Sequence, residues 1–251
     1  MDVRGHGAIV TGGGSGLGAE TARHLAAAGA KVCVLDIDAD SAAAVAEEVG
    51  GLGLACDVAS AAEAEAAVAR AREAHGAARV LVNCAGIAPA KRIVGRGGPM
   101  ALEDFENVIK VNLIGSFNLL RLAAADMLAA EPLDEGERGV IISTSSIAAG
   151  EGQLGQAAYA ASKAGIVGMM LPAAREFAKA GVRVLTIAPG LIATPLLLNM
   201  PQEVQDELAG QVPFPHRFGK VEEFATLAMH IVENVMLNAG TIRLDGAMRM
   251  Q

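Results

Sequence analysis

Tyr159 and Lys163 stand four residues apart in the run Tyr159-Ala160-Ala161-Ser162-Lys163. On a helix, an i,i+4 pair shares one face. Tyr159 is the only tyrosine of the chain. A free phenol has a pKa near ~10 and is protonated at neutral pH. A neighbouring ammonium favours the phenolate and draws that value down. A shift of roughly 3 units takes about 4 kcal/mol, within reach of two close positive charges in a sheltered site. A phenol so placed can donate or accept the proton that accompanies a hydride transfer. A solvated i,i+4 pair could not, so the pair needs company. Ser146 offers it, just past the apolar run Val140–Ser143, with Ser145 as the competing hydroxyl. Asn112 is a polar misfit inside a helical stretch, where Asn is mildly unfavourable.

A second group of residues speaks for a dinucleotide. Residues 11–18 read Thr11-Gly12-Gly13-Gly14-Ser15-Gly16-Leu17-Gly18, between an apolar run and an Ala-rich one. Glycines at Gly12, Gly16 and Gly18 let a strand turn sharply into a helix and let backbone approach a pyrophosphate. The helix start then offers free N–H groups and the positive end of its dipole. Asp36 closes the next apolar run, where a carboxylate accepts hydrogen bonds from the adenosine ribose and repels a 2′-phosphate. No Arg or Lys stands beside it, which predicts NAD over NADP. A cationic nicotinamide would add to the ammonium in favouring the Tyr159 phenolate. Asn83-Cys84-Ala85-Gly86, after a third apolar run, is small enough to let a cofactor pass.

These residues need a scaffold. Short β-branched runs at Gly7–Val10, Lys31–Leu35, Arg79–Val82, Val140–Ser143, Val182–Ile187 and Thr241–Leu244, with a weaker one at Gly51–Ala55, read as buried parallel strands. Between them lie amphipathic segments at Gly16–Ala28, Asp40–Val49, Ala61–His75, Leu102–Ala130, Gln156–Ala180 and Val221–Asn234. Alternation of the two predicts an α/β fold: a single Rossmann-type doubly wound domain over 1–251, with about seven parallel strands and helices on both faces. Pro89–Pro99 and Glu131–Gly139 read as loops. The segment 190–215 is apolar, with Leu196, Leu197, Leu198, Met200, Val212 and Phe214 among three prolines. It suits a lid over a substrate or a packed subunit contact.

Composition narrows the rest. Lys plus Arg is 20 and Asp plus Glu 28, a net charge of −8, and there is no Trp. An acidic chain poor in stacking aromatics is not expected to bind nucleic acid. No apolar stretch free of Pro and Gly reaches the ~18 residues of a membrane span, and no leader pattern stands at the start. A cytoplasmic enzyme is the expectation. The cysteines Cys33, Cys56 and Cys84 form no CxxC pair, and the five histidines show no ligand spacing, so no metal is expected.

Thr11-Gly12-x-x-x-Gly16-x-Gly18, Asp57, Asn83-x-Ala85-Gly86, Asn112, Ser146, Tyr159-x-x-x-Lys163 and Pro189-Gly190 together resemble the short-chain dehydrogenase/reductase family over nearly the whole chain. The resemblance implies a catalytic tetrad of Asn112, Ser146, Tyr159 and Lys163. Tyr159 would be the acid/base and Ser146 would hold the substrate oxygen. Lys163 would bind the nicotinamide ribose, and Asn112 would position a water in a proton relay. Within the family, Gly152–Tyr159, Ile187–Leu191, Gln211–Pro215 and Ile242–Met250 resemble the 3-hydroxyacyl-CoA dehydrogenases. That likeness implies NAD contacts from Ser15, Leu17, Asp36, Asp57, Val58, Cys84, Ile192 and Thr194, a homotetramer, and an acyl-CoA substrate. The loop Pro89–Pro99 departs from that pattern, yet its Lys91, Arg92 and Arg96 are the densest basic cluster available for coenzyme A phosphates. A 3-oxoacyl carrier-protein reductase, a hydroxysteroid or alcohol dehydrogenase, and a regulator that keeps the fold without turnover are the alternatives.

Overall fold

A computed structural model describes residues 1–250, the side chain of Leu196 excepted. Gln251 and that side chain, both within segments discussed above, lie outside the described residues. Nine strands and ten α-helices follow one another among these residues. The strands are β1 (Gly7–Thr11), β2 (Lys31–Asp36), β3 (Leu52–Ala55), β4 (Ala78–Asn83), β5 (Val94–Gly95), β6 (Gly98–Pro99), β7 (Gly139–Thr144), β8 (Val182–Pro189) and β9 (Thr241–Leu244). The helices are α1 (Gly16–Ala27), α2 (Ala39–Val49), α3 (Ala61–His75), α4 (Leu102–Ile109), α5 (Gly115–Ala129), α6 (Ala148–Glu151), α7 (Ala157–Phe177), α8 (Pro195–Leu198), α9 (Gln202–Gly210) and α10 (Val221–Glu233).

Seven strands form one parallel sheet in the order β3-β2-β1-β4-β7-β8-β9. Alternate strand residues supply two cores, as the period-two pleat requires. Ile9, Cys33, Leu35, Leu81, Ile141 and Val184 pack on one face with Val68 of α3, Leu119 and Met127 of α5 and Phe177 of α7. Val10, Val34, Val82, Ile142 and Ile187 pack on the other with Leu25 of α1, Val45 of α2 and Phe224 of α10. A strand buried on both faces reads as a continuous apolar run, which is why the five inner strands are legible in the sequence; the edge strands β3 and β9 are only partly buried, and β3 is the weaker run.

The chain leaves β1 towards β2 on one side and returns to place β4 on the other. That reversal opens a crevice at the carboxyl ends of β1 and β4, where such sheets bind ligands. The glycine-rich turn and Asn83–Gly86 both lie there.

Three local features differ from expectation. The helix expected over Leu102–Ala130 is α4 and α5 joined by a π-turn at Lys110–Ile114, centred on Asn112. Such turns insert one extra residue and recur at functional sites. The loop Pro89–Pro99 carries the small β5–β6 hairpin. The path Leu102–Ala129 is long and apolar enough by composition to cross a membrane, contrary to the sequence reading; half of its apolar window is buried within the fold.

Candidate active site

The site is built from strand ends. Thr11, Asp36, Asn83, Thr144 and Pro189 are the last residues of β1, β2, β4, β7 and β8. Each strand therefore hands its final polar group or turn to the crevice.

Gly12 turns at φ +60°, in the left-handed region, and a Cβ on it would lie 2.7 Å from the Ala85 nitrogen. A Cβ on Gly18 would lie 2.2 Å from the Gly12 carbonyl oxygen. Only glycine lets α1 start this close to β1 and leaves an open backbone cradle above it. The Thr11 hydroxyl accepts from the Cys84 and Ala85 amides at 3.1 and 3.2 Å and so ties the two turns together. Sequence reasoning quoted Thr11 but gave it no role; a hydroxyl at a strand end beside the glycines was the available signal. Asp36 accepts from Gly14 N at 2.9 Å and Asp38 N at 3.1 Å, which fixes its carboxylate over the turn. Asp57 accepts from Ala59 N at 2.9 Å. Val58 is buried, and its carbonyl accepts from Asn118 at 2.9 Å.

On the far side, Gly190 donates to the Leu244 carbonyl at 2.9 Å, and buried Ile192 bridges to Gly219. Thr194 starts α8 and brings its side chain against Gly16: a Cβ there would sit 3.5 Å from Thr194 Cγ2. The segment 190–215 therefore closes back onto the glycine turn. It contains α8 and α9, with Val212 buried and Phe214 exposed.

Lys163 and Ser162 of α7 are buried, and so is Ser146 beyond β7. Lys163 Nζ donates to the Thr144 carbonyl at 2.8 Å and lies 5.7 Å from the centre of the Tyr159 ring. That acceptor is a backbone carbonyl, which no sequence pattern could name. The two serines separate cleanly. Ser145 Oγ donates to the Lys163 carbonyl at 2.9 Å, a bond that docks β7 on α7. Ser146 Oγ accepts from Ala148 N at 3.1 Å and faces the Tyr159 hydroxyl. Gly86 lies against Asn112 and Lys163: a Cβ would make a tight contact of 3.2 Å with Asn112 Oδ1 and an ordinary one of 3.5 Å with Lys163 Nζ.

Asn112 is fully buried. Its Oδ1 accepts from Ile87 N at 2.8 Å, and its Nδ2 donates to Ile87 O at 2.9 Å and Ser162 Oγ at 3.0 Å. Both amide hydrogens are thus committed to holding the β4 turn and α7. Asn83 donates to Ser116 O and Ser143 Oγ, both at 3.3 Å, while its Oδ1 is buried without a partner.

Among the protein's own groups, burial raises the Tyr159 phenol by penalising the phenolate, and the Ser146 hydroxyl offsets only part; the expected lowering also counts on a cationic nicotinamide. Burial also pulls the Lys163 ammonium down to about 8. Desolvation dominates at both groups, and the ammonium gives its hydrogen bond to the Thr144 carbonyl rather than to the phenol. The Cys84 thiol, which accepts from Thr144, is pushed up to about 11 by burial, so it stays protonated at neutral pH. In the basic cluster, Lys91 is paired at the surface with Asp104, and Arg92 and Arg96 are exposed.

Residues 6–205 match the family model described as short chain dehydrogenase. The chain is similar to 3-hydroxyacyl-CoA dehydrogenase type-2 of Homo sapiens, 50% identical over 99% of this chain and 97% of that one. It is 34% identical to (3R)-3-hydroxyacyl-CoA dehydrogenase of Mus musculus, over 97% of this chain and 96% of that one. The crystal structure of 3-hydroxyacyl-CoA dehydrogenase type-2 from Mycobacterium avium superposes with a TM-score of 0.92 at 41% identity, covering 98% of this chain and 97% of that one. With the glycine turn, the strand-end polar groups and the Tyr159–Lys163 face gathered at one crevice, the chain belongs to the short-chain dehydrogenase family.

Proposed function

We propose that the chain is an NAD-dependent dehydrogenase that interconverts a 3-hydroxyacyl-CoA and a 3-oxoacyl-CoA, with Tyr159 as acid/base. The observation that carries this reading is the convergence of Ser146, Tyr159 and Lys163 beside the Gly12–Gly18 turn, in a chain half identical throughout to enzymes of that name. The cradle at Gly12 and Gly18, closed to any Cβ, fits a dinucleotide pyrophosphate. Gly12, Ser15, Gly16 and Leu17 would hold it there, Asp36 the adenosine ribose, Asp57 and Val58 the adenine side, and Cys84–Gly86, Pro189–Gly190, Ile192 and Thr194 the nicotinamide side. A bound nicotinamide supplies or takes the hydride at the substrate carbon.

The chain's own residues do the rest. Ser146 Oγ donates to the substrate oxygen and fixes it beside the phenol. In reduction, the Tyr159 hydroxyl donates its proton to that oxygen as it becomes a hydroxyl; in oxidation it takes the proton back. Burial keeps the phenol protonated at neutral pH, so the acid is ready before substrate arrives. The Lys163 ammonium, still largely charged at pH 7, is aimed by Thr144 and reaches the ribose side of the site. Because the Asn112 side chain is committed, any water it holds for a relay binds its backbone carbonyl, which already accepts from Ser116 Oγ at 2.6 Å.

Asp36, fixed by two backbone amides with no cation beside it, supports NAD over NADP and disfavours a carrier-protein reductase, a role that normally uses NADPH. Exposed Ile114, Phe117 and Leu128 on and before α5 support a homotetramer. Purified protein with acetoacetyl-CoA should consume NADH, and kcat/KM should exceed that with NADPH at least tenfold, about 1.4 kcal/mol. Turnover absent with every 3-oxoacyl-CoA tried would remove the reading.

A further inference from the structure

Beyond the two main cores lies a third, formed by Ile147, Val212 and Met248 with Leu191 and Met250 against it. It joins three segments that surround the substrate side of the crevice. Ile147 follows Ser146 directly, Val212 belongs to the segment 190–215, and Met248 lies in the turn after β9. That turn is tight: Gly246 and Ala247 both have positive φ, and alanine there is strained. Phe214 N donates to Gly246 O at 3.2 Å, and a Cβ on Gly246 would lie 2.5 Å from Val212 Cγ1.

An ionic clasp holds this turn. Arg243 donates to Glu151 Oε1 at 2.8 Å, to Asp245 Oδ2 at 2.6 Å and to the Met248 carbonyl at 2.9 Å. Glu151 Oε2 accepts from Met250 N at 3.1 Å. Arg249 adds a bond to the Met248 carbonyl at 2.6 Å and a longer one to Asp245. The Asp245 side chain is 8% exposed and Glu151 21%, while Arg243, at 34%, keeps one side towards solvent, so the clasp is a partly solvated network held by several bonds. Arg243 holds the Glu151 carboxyl below its usual range. Glu151 ends α6, the single turn whose first free amide, Ala148 N, is held by Ser146 Oγ. The clasp therefore grips one end of a four-residue helix and Ser146 the other.

We propose that the turn Asp245–Met250, locked to Glu151 by Arg243, is a positioning device for Ser146, with Glu151 and Arg243 as positioning residues for the reaction. The proposal rests on the reading of Ser146 and Tyr159 given above. The clasp fixes the hydroxyl that faces the phenol, and through Val212 it fixes the base of the segment over the substrate. Its Glu151 end does not touch the glycine turn, while Asp245 backs onto Gly190, where an added Cβ would lie 2.9 Å from Asp245 Cβ; substitutions at Glu151 therefore bear first on Ser146.

The lone tyrosine makes this directly measurable. With one Tyr and no Trp, the ultraviolet titration of tyrosinate reports Tyr159 alone and needs no turnover. Lys163 and Ser146 are the polar groups that face its ring or hydroxyl. Glu151→Gln should raise the Tyr159 midpoint, because the Ser146 hydroxyl, which favours the phenolate, is no longer held in place. Glu151→Asp, which keeps the carboxylate, should restore much of the wild-type curve. In a Ser146→Ala background, Glu151→Gln should cause no further shift. With acetoacetyl-CoA, Glu151→Gln should lose about tenfold in kcat/KM, while NADH affinity stays unchanged. Arg243→Lys carries the same comparison if Glu151→Gln does not fold. Superimposable titrations of wild type and the clasp variants would overturn the proposal, as would an equal shift with and without Ser146. Absence of turnover in the wild type would strike the functional reading and leave the titration result standing.

Discussion

Replacing Gly18 by Ala tests the cradle most severely. The new Cβ would sit 2.2 Å from the Gly12 carbonyl oxygen and 2.7 Å from its carbon. Both are backbone atoms, so no side chain can swing aside. Ordinary contact begins near 3.4 Å, and the start of α1 must withdraw by about an ångström. Overpacking of this kind costs roughly 1–3 kcal/mol in stability, which for a chain of this size lowers Tm by about 2–12 °C. The same ångström displaces the amides that would hold a pyrophosphate, and misplacement on that scale costs on the order of 10²-fold. The assay pairs thermal melting with NADH affinity from fluorescence titration. Gly168→Ala is the control: it lies in α7 with open space where its Cβ would be, and should stabilise by up to about 1 kcal/mol. A Gly18→Ala protein that melts like wild type and binds NADH as tightly would refute the reasoning from close approach.

Tyr159→Phe keeps the ring and its packing but removes the transferable proton; kcat should fall at least about 10²-fold with NADH binding kept, as stopped-flow turnover and titration would show. Lys163→Met isolates a linkage effect. Burial lowers the Lys163 value to about 8 in the folded state, so the unfolded chain binds that proton more tightly. The penalty is full below pH 8 and fades as pH rises towards lysine's ordinary value near ~10.4. Unfolding free energies measured at pH 7 and 10 should show wild type gaining on the variant by up to about 3 kcal/mol; a constant difference would contradict it. Arg92→Ala with Arg96→Ala should raise KM for acetoacetyl-CoA and flatten its salt dependence, while Lys91→Ala, which removes an ammonium paired with Asp104, should do less.

The sheet was legible because a doubly wound fold writes its inner strands as buried apolar runs. Val10, Val34, Val82 and Ile142 could sit nowhere but a sheet interior. The glycine turn was legible for a related reason: only close backbone approach demands Gly12 and Gly18 together. Asn112 announced itself as a polar residue in a helix, and the π-turn is the physical answer to that misfit. Its partners, Ile87 and Ser162, were not readable, since they depend on where β4 and α7 meet in space.

What the sequence hid is what tertiary packing alone decides. Ser145 and Ser146 are chemically identical neighbours. Their roles divide only because one hydroxyl meets the Lys163 carbonyl and the other meets α6 and the phenol. Glu151, Arg243 and Arg249 are ordinary charges far apart along the chain, and such charges usually mark a solvated surface. The balance at Tyr159 was hidden for the same reason. An i,i+4 lysine suggested an ammonium near the phenol, and Lys163 Nζ does lie 5.7 Å from the ring centre, but its hydrogen bond goes to Thr144 O and burial weighs on the phenolate. A buried phenol that resists ionisation is a better proton donor in waiting than a standing phenolate would be. Burial thus favours the acid form of Tyr159. Ser146, held by the clasp, is the group that already draws the phenol the other way.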